Sequence, residues 1–346
     1  MFDKYYSVLL LGFNKIGDSL HQTRIYRSLK NRSVPPHITV LCTPAAASVV
    51  QNNPNVDELV VSPVIPGLSF IDFVRYWILC FRIVLRRKVD MVICDTINAN
   101  PASALIMKLL PVRYKVYGAP VLKRWHTILM HDLLQPNKGH DYFEPLLSQT
   151  DRLLSGIGCD SEGIVAEVYP SENEKTRADR FMRNIKERCK GPYISLIPFS
   201  KQQATSWPIG NLKTFLIEAA RKYCVIVFGG NEEDKALLVA DGQIVPAFDL
   251  NIREAFWAIK QTDLLVSLDT GPSHFFTGLD IPMLKLNSAR IPAAMWGYHG
   301  NPRYHEIQLQ VPCGHCNSST CKNNNHLCME GMTAEMVMET IDTIIP

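Results

Sequence analysis

Short apolar runs alternate along the chain with longer segments in which apolar residues recur at helical spacing. Ser7–Leu11 predicts a first strand, Gly12–Gly17 a loop and Asp18–Asn31 a helix. His37–Cys42 predicts a second strand, followed by a short helix across Ala45–Gln51. Glu58–Val61, Met91–Cys94 and Tyr114–Gly118 continue the series, with the long segment Phe70–Lys88 ahead of Met91. A second series runs through Tyr193–Pro198, Cys224–Phe228, Gln243–Pro246, Leu264–Ser267 and Met283–Leu286, with helices over Ile209–Tyr223 and Glu232–Ala240. Strands that alternate with helices build parallel α/β units. Two such series predict two doubly wound units, with ligand in a cleft between them near the carboxyl ends of the strands. The strongly charged stretch Ser171–Lys190 reads as a surface helix and linker.

Length agrees, since 346 residues suit two domains. A hydrophobic share of 47% with 20% charged residues excludes a disordered chain. The net charge of +3 excludes binding of nucleic acid by bulk charge. Ten cysteines raise the question of disulfides, but Met1–Tyr6 is polar and the following apolar run reads as a strand, not a secretory signal. The cysteines are therefore expected as free thiols or metal ligands, with Cys42, Cys80, Cys94 and Cys224 as buried core thiols. Phe70–Lys88 is very apolar, yet Arg75 and Arg82 interrupt it, so it falls short of the roughly 20 apolar residues of a membrane span. It reads as a helix packed on the sheet. The sharper alternative is a membrane-surface helix whose Arg75, Arg82, Arg86, Arg87 and Lys88 meet lipid phosphates.

Four loops carry candidate chemistry. In Leu11-Gly-Phe-Asn-Lys-Ile-Gly-Asp-Ser-Leu-His21 a dinucleotide fingerprint is absent. Asp18 there is either a helix cap or a carboxylate available as a general base. Ser195–Pro208 ends a strand in a polar loop whose hydroxyls, amides and Lys201 suit a diphosphate, or which is solvated with Trp207 as a packing anchor. Val227–Asp234 places glycines and acids at a helix start, where an acid favours the helix dipole or grips a ribose. In Asp263–His274, Asp269 ends an apolar strand ahead of Thr270-Gly271-Pro272, as an N-cap or as a grip on sugar hydroxyls.

Taken together these stretches resemble glycosyltransferase family 9, the lipopolysaccharide heptosyltransferase family. Gly17-Asp18-Ser-Leu-His21-Gln-Thr23 is similar to the family's first-loop motif G-D-x-(apolar)-H-x-T, and Asp269-Thr-Gly-Pro-Ser-His274 to its D-[ST]-G-x-x-H. Asn53-Pro-Asn-Val-Asp57-Glu matches its N-P-x-(V/I)-D-E turn, and Trp207-Pro208, Gly229-Gly230 and Trp296-Gly297 follow in the expected order. The resemblance implies a GT-B α/β fold, two Rossmann-like doubly wound domains facing a central cleft. Residues 1–170 would form the acceptor-binding domain, 171–190 the linker, and 191–346 the nucleotide-sugar domain with a Cys-rich loop at 313–328. It implies an inverting transfer of heptose from ADP-heptose to the lipopolysaccharide inner core (Kdo-lipid A or core heptose), with no metal needed for the chemistry. Asp18 would be the catalytic base. Ser200, Lys201, Thr205, Glu232, Glu233, Asp269, Thr270, Gly271 and His274 would bind the donor. Lys15, His21, Arg113, Lys115, Lys123 and Arg124 would bind the acceptor. The family usually carries P-G at the start of the donor loop and a Lys two places before the Trp; here those places hold Pro198-Phe199 and Thr205, and Lys201 is expected to stand in.

Cys313-x₂-Cys316-x₄-Cys321-x₆-Cys328 opens with the spacing of a zinc knuckle, so a structural zinc or iron is one reading and a local feature of the loop the other. Between Arg75 and Arg124 ten Lys and Arg face two Asp, a field that suits an anionic, lipid-linked saccharide. The expected setting is cytoplasmic and peripheral at the inner membrane, with no nucleic-acid partner. The alternatives are a family-9 transferase with another donor sugar or a protein acceptor, and a nucleotide-sugar-binding protein without catalysis.

Overall fold

The computed structural model describes residues 5–12, 15–64, 69–95, 100–118, 135–136, 140–141, 144–230, 234, 236, 238, 242–323 and 325–345. Two compact units divide the chain, Met1–Tyr169 and Pro170–Pro346.

In the first unit, β1 (Ser7–Gly12), β2 (His37–Cys42), β3 (Glu58–Val61), β4 (Met91–Cys94) and β5 (Tyr114–Tyr117) form a parallel sheet of order β3-β2-β1-β4-β5. Helices α1 (Ile16–Lys30), α2 (Pro44–Val50), α3 (Phe70–Arg87), α4 (Pro101–Leu109) and α5 (Leu146–Gly156) cover it. Because successive side chains on a strand point to opposite faces, β1 feeds two cores. Leu9 and Leu11 join Tyr76, Cys80 and Ile83 of α3, whereas Val8 and Leu10 join Ile25, Tyr26 and Leu29 of α1. Ser69 starts α3 by accepting the Asp72 N–H. The Asn53–Glu58 turn is structural: Asp57 accepts from the Ile38 N–H and the Lys30 ammonium, tying α1 and β2 to the start of β3.

The second unit repeats the plan with six parallel strands: β6 (Tyr193–Ile197), β7 (Cys224–Val227), β8 (Ile244–Pro246), β9 (Leu264–Leu268), β10 (Met283–Asn287) and β11 (Tyr304–Gln308), in the order β11-β10-β9-β6-β7-β8. One face packs Ile194, Leu196, Val225, Val266, Leu284 and Leu286 against α7 (Ile209–Ala219) and the C-terminal helix Ala334–Ile344. The segment expected as a linker is α6 (Glu172–Arg188), and it is built into this unit. A capping box on Ser171 and Glu174 starts it, and it lies along the helix Ile252–Ile259. There Arg253 donates to Glu174 at 3.0 Å and Trp257 to Asp179 at 2.9 Å. Burial works against the Glu174 charge, but Arg253 and the Ser171 N–H and hydroxyl hold the carboxyl down at about 2.

The expectation of a free Cys224 is corrected. Cys189 closes α6, the Cys224 N–H donates to the Pro192 carbonyl, and the two sulfurs form a disulfide with Cα atoms 5.8 Å apart. Cys42, Cys80 and Cys94 are buried thiols, as expected, and burial pushes Cys42 up to about 12.

Candidate active site

Ligands of doubly wound sheets bind where the strand order reverses, beyond the carboxyl ends of the two strands flanking that point. The reversal falls between β1 and β4 in the first unit and between β6 and β9 in the second. Three of the four loops singled out in the sequence leave from such strands: Asp18 after β1, Ser200–Thr205 after β6 and Asp269 after β9.

The β1 loop is tightly tied. Gln22 of α1 donates to the Leu11 carbonyl at 3.2 Å and accepts from the Tyr26 hydroxyl at 3.0 Å. A Cβ on Gly12 would stand 3.1 Å from the Gln22 amide oxygen, so glycine is what lets the helix start so close to the strand. Lys15 is the N-cap, with an exposed side chain. Asp18 is therefore not the cap residue; it stands third in the helix, and its carboxylate accepts the Lys15 N–H. Burial pushes the Asp18 carboxyl up to about 6, against the Lys15 N–H and ammonium, which pull it down. A carboxyl at about 6 is poised to take a proton near neutral pH. His21, three residues on, is buried inside the unit. Arg113 and Lys115 are not brought to this edge. Arg113 precedes β5 at the opposite, amino edge of the sheet and lies over the Tyr114 ring, while Lys115 donates to the Lys108 carbonyl at 3.0 Å. Lys123, Arg124, Glu232 and Glu233, with the helix expected over Glu232–Ala240, fall outside the described residues, apart from isolated positions of that helix.

In the β6 loop the Ser200 and Thr205 hydroxyls are 2.6 Å apart. Thr205 is buried and also donates to the Gln202 carbonyl at 3.2 Å, so it shapes the loop from within. Lys201 is exposed and makes no ion pair among the described residues. Trp207 is a packing anchor: it is buried, and its indole N–H donates to the Met332 carbonyl at 2.8 Å. At the end of β7, Gly229 and Gly230 have φ of 73° and 101°. A Cβ on Gly230 would stand 2.9 Å from the Phe199 ring, so backbone favours glycine at both positions and space requires it at Gly230.

Beyond β9, Asp269 is held by a residue that the sequence reading passed over. The Lys285 ammonium of β10 lies 2.7 Å from Asp269 Oδ1 and 3.3 Å from the Trp296 carbonyl, and its side chain is 0% exposed. The signal was present as a single charge inside the apolar run Met283-Leu-Lys-Leu-Asn287; a lysine buried to this degree requires a counter-charge. Thr270, not Asp269, caps the 3₁₀ turn Gly271–Gly278, and its hydroxyl is buried with no hydrogen-bond partner among the described residues. His274 is buried, with Nδ1 2.6 Å from the Tyr298 hydroxyl and its ring against Trp296. Burial, and then the Lys285 charge, hold His274 well below the usual histidine range, so it is neutral.

In the Cys-rich loop, Cys313 and Cys321 lie near enough to Cys328 to act on its thiol. Among the described residues no three His, Cys, Asp or Glu stand together as ligands. Cys316 is exposed, Cys328 belongs to the apolar core, and burial raises the Cys328 thiol. The loop also braces its neighbours. Ser319 accepts from the Ala204 N–H, Gln203 accepts from the Cys321 N–H, and the Asn317 N–H reaches the Arg290 carbonyl.

This geometry has counterparts. No curated protein matches the chain. A glycosyltransferase family 9 structure from Veillonella parvula is 16% identical with a TM-score of 0.77, covering 99% of this chain and 98% of that one. The ADP-heptose lipopolysaccharide heptosyltransferase II of E. coli is 16% identical with a TM-score of 0.71, covering 98% of both chains. E. coli heptosyltransferase WaaC with ADP-2-deoxy-2-fluoro heptose is 13% identical with a TM-score of 0.64, covering 97% of this chain and 99% of that one. These likenesses establish the fold, two Rossmann-like units of the GT-B type. Residues 111–327, more than half of the chain, match the family model of glycosyltransferase family 9 (heptosyltransferase), and the chain belongs to that family.

Proposed function

We propose that this glycosyltransferase moves heptose from ADP-heptose to the anionic inner core of lipopolysaccharide with inversion. The observation that carries the reading is Asp18, a carboxyl pushed up to about 6 at the carboxyl edge beside the reversal of strand order. In this mechanism an acceptor hydroxyl gives its proton to Asp18 as its oxygen attacks the anomeric carbon from the face opposite the leaving group. The bond from that carbon to the diphosphate oxygen breaks, and ADP leaves with the electron pair. The free oxygen of Asp269 and the Thr270 hydroxyl accept from and donate to donor hydroxyls. Ser200, Lys201 and the backbone N–H groups of the β6 loop take the diphosphate. E. coli WaaC, the neighbour holding an ADP-heptose analogue, supports a nucleotide-sugar donor.

A second reading, another donor sugar, is favoured by Thr205. It stands where the family usually has lysine, and it is buried and hydrogen-bonded rather than cationic. The acceptor is proposed to be lipid-linked at a membrane surface. No helix among the described residues is long and apolar enough to cross a membrane. The outer side of α3 exposes Phe70, Ile71, Ile78 and Leu85 among Arg75 and Arg82, a composition that suits an anionic bilayer.

The test is product mass after incubation of the purified protein with Kdo₂-lipid A or a heptosylated core and, in parallel, ADP-heptose, ADP-glucose or UDP-glucose. Addition of one heptose is expected only with ADP-heptose, and NMR of the product is expected to show inverted anomeric configuration. Transfer from another donor alone establishes the second reading, and nucleotide-sugar binding with no product from any donor removes catalysis.

A further inference from the structure

We propose that Lys285 is a positioning residue for donor recognition, holding Asp269 from below so that the second oxygen of its carboxylate and the Thr270 hydroxyl face the nucleotide sugar. The inference rests on the reading of Asp269 and Thr270 as donor ligands and adds a residue that acts only through the first of them.

Register builds the arrangement. Lys285 of β10 pairs with Ser267 of β9 on one side and Glu306 of β11 on the other. Side chains two residues apart on a strand share a face, so Ser267 and Asp269 stand on the same face as Lys285 and Asn287. The opposite face, with Val266, Leu268, Leu284 and Leu286, is apolar core. The sheet is thus polar on one side only, under the carboxyl ends of β9 and β10. Interior strands of parallel sheets are ordinarily apolar on both faces. A wholly buried ammonium in that position is costly unless its charge is met.

Here it is met at Asp269 Oδ1, with a second hydrogen bond to the Trp296 carbonyl. The carboxylate is 14% exposed, and Oδ2 has no partner among the described residues. Beside it the Thr270 hydroxyl is buried and likewise without a partner. Two polar groups that the protein leaves unmatched, next to one it has pinned, describe a site that a ligand completes. In Lys285→Met, burial still holds His274 below the usual histidine range, so its ring does not replace the lost charge.

The test uses the full chain with ADP-heptose, comparing wild type, Lys285→Met, Asp269→Asn and the double variant. Donor KM, acceptor KM and kcat are measured, with ADP binding by calorimetry and folding by thermal melt. The donor KM should rise about tenfold in Lys285→Met, as expected when a hydrogen-bonded charge loses its partner, with the acceptor KM unchanged. The double variant should match Asp269→Asn in donor KM, and should melt higher than it, because Asp269→Asn alone leaves the buried ammonium unpaired. If Lys285→Met does not fold, the double variant, which buries no unpaired charge, should fold. Its donor KM against that of Asp269→Asn then decides the matter. Additive losses, an unchanged donor KM in Lys285→Met, or a double variant that fails to fold while Asp269→Asn folds would each overturn the proposal. A wild type that neither binds ADP nor turns over ADP-heptose would instead remove the reading on which it rests.

Discussion

Two aspartates stand near the reversal of sheet order, Asp18 in the first turn of the helix after β1 and Asp269 directly after β9, and their surroundings differ sharply. Asp18 is half-buried, its carboxylate is met by one N–H and a nearby exposed ammonium, and its carboxyl is pushed up to about 6. Asp269 is gripped at 2.7 Å by a lysine that is itself wholly buried. On the proposed reading the first takes a proton from the acceptor, and the second, fixed by its ion pair, accepts hydrogen bonds from the donor. On this reading the neighbours of each carboxylate make one a base and the other an anchor.

The strongest way to break this contrast is at the base. Asp18→Asn should lower kcat about 10²–10⁴-fold with ADP affinity unchanged. The same burial sets the sign of its effect on stability. A carboxyl raised from its ordinary range to about 6 makes the native state hold the proton more tightly than the unfolded chain. The stability it contributes is complete at about pH 4 or below and is lost as pH rises through about 6. Asp18→Asn, with no charge to bury, should therefore melt higher than wild type at pH 8, with the difference closing towards pH 4. An inactive variant that is also destabilised at pH 8 would make Asp18 a structural residue of the helix start.

Next in size is a difference in covalent bracing. The Cys189–Cys224 disulfide closes a 35-residue separation inside the second unit only. Cys189→Ala with Cys224→Ala should cost about 2–4 kcal/mol. Hydrogen-exchange protection should fall in β6 and β7 and hold in β1 and β4. Equal losses in both units would mean that they unfold as one. Asp269→Asn should then raise the donor KM about 10–100-fold, the loss of a charged hydrogen-bond acceptor, with little change in acceptor KM. A matching rise in acceptor KM would place Asp269 outside the donor's exclusive care.

Much of the frame was legible because parallel strands are apolar runs with clear ends. His37–Cys42, Glu58–Val61 and Met91–Cys94 coincide with β2, β3 and β4 residue for residue. Tyr304–Gln308 escaped because Tyr-His-Glu-Ile-Gln carries one aliphatic residue; it is an edge strand, half-buried along its whole length. Helices Pro101–Leu109 and Leu146–Gly156 were also passed over, although the Asn100 capping box with proline in the first turn marks the former. The site divides along the same line. Asp18, in the first turn of a helix, and Asp269, directly after a strand, stand out by their place in short sequence motifs. Lys285 and the partner of Cys224 depend on which distant segments lie side by side, and only register supplies that. The linker failed for the same reason, since the charges of 172–188 find Arg253 and Trp257 some eighty residues later.

The smallest effect concerns Lys15, and it tests whether Asp18 is held where the contrast requires. Two influences of Lys15 lower the Asp18 carboxyl, its N–H and its ammonium, while burial alone raises it. Lys15→Ala removes the ammonium and leaves the N–H in place. The carboxyl should then move further up, by less than about 0.7 of a pH unit, because an exposed charge is worth under about 1 kcal/mol. A base works only when deprotonated, so kcat/KM for wild type should rise with pH along an acid limb near 6, and in Lys15→Ala that limb should move to higher pH. At pH 8 both proteins have Asp18 ionised, and the two plateaus should agree if Lys15 does not itself touch the acceptor. High salt should bring the wild-type limb towards that of the variant, since screening removes the contribution of an exposed ammonium but not that of burial. A limb that stays fixed in Lys15→Ala and is indifferent to salt would mean that the titrating group is not Asp18. A lower plateau with an unmoved limb would make Lys15 an acceptor ligand and nothing more.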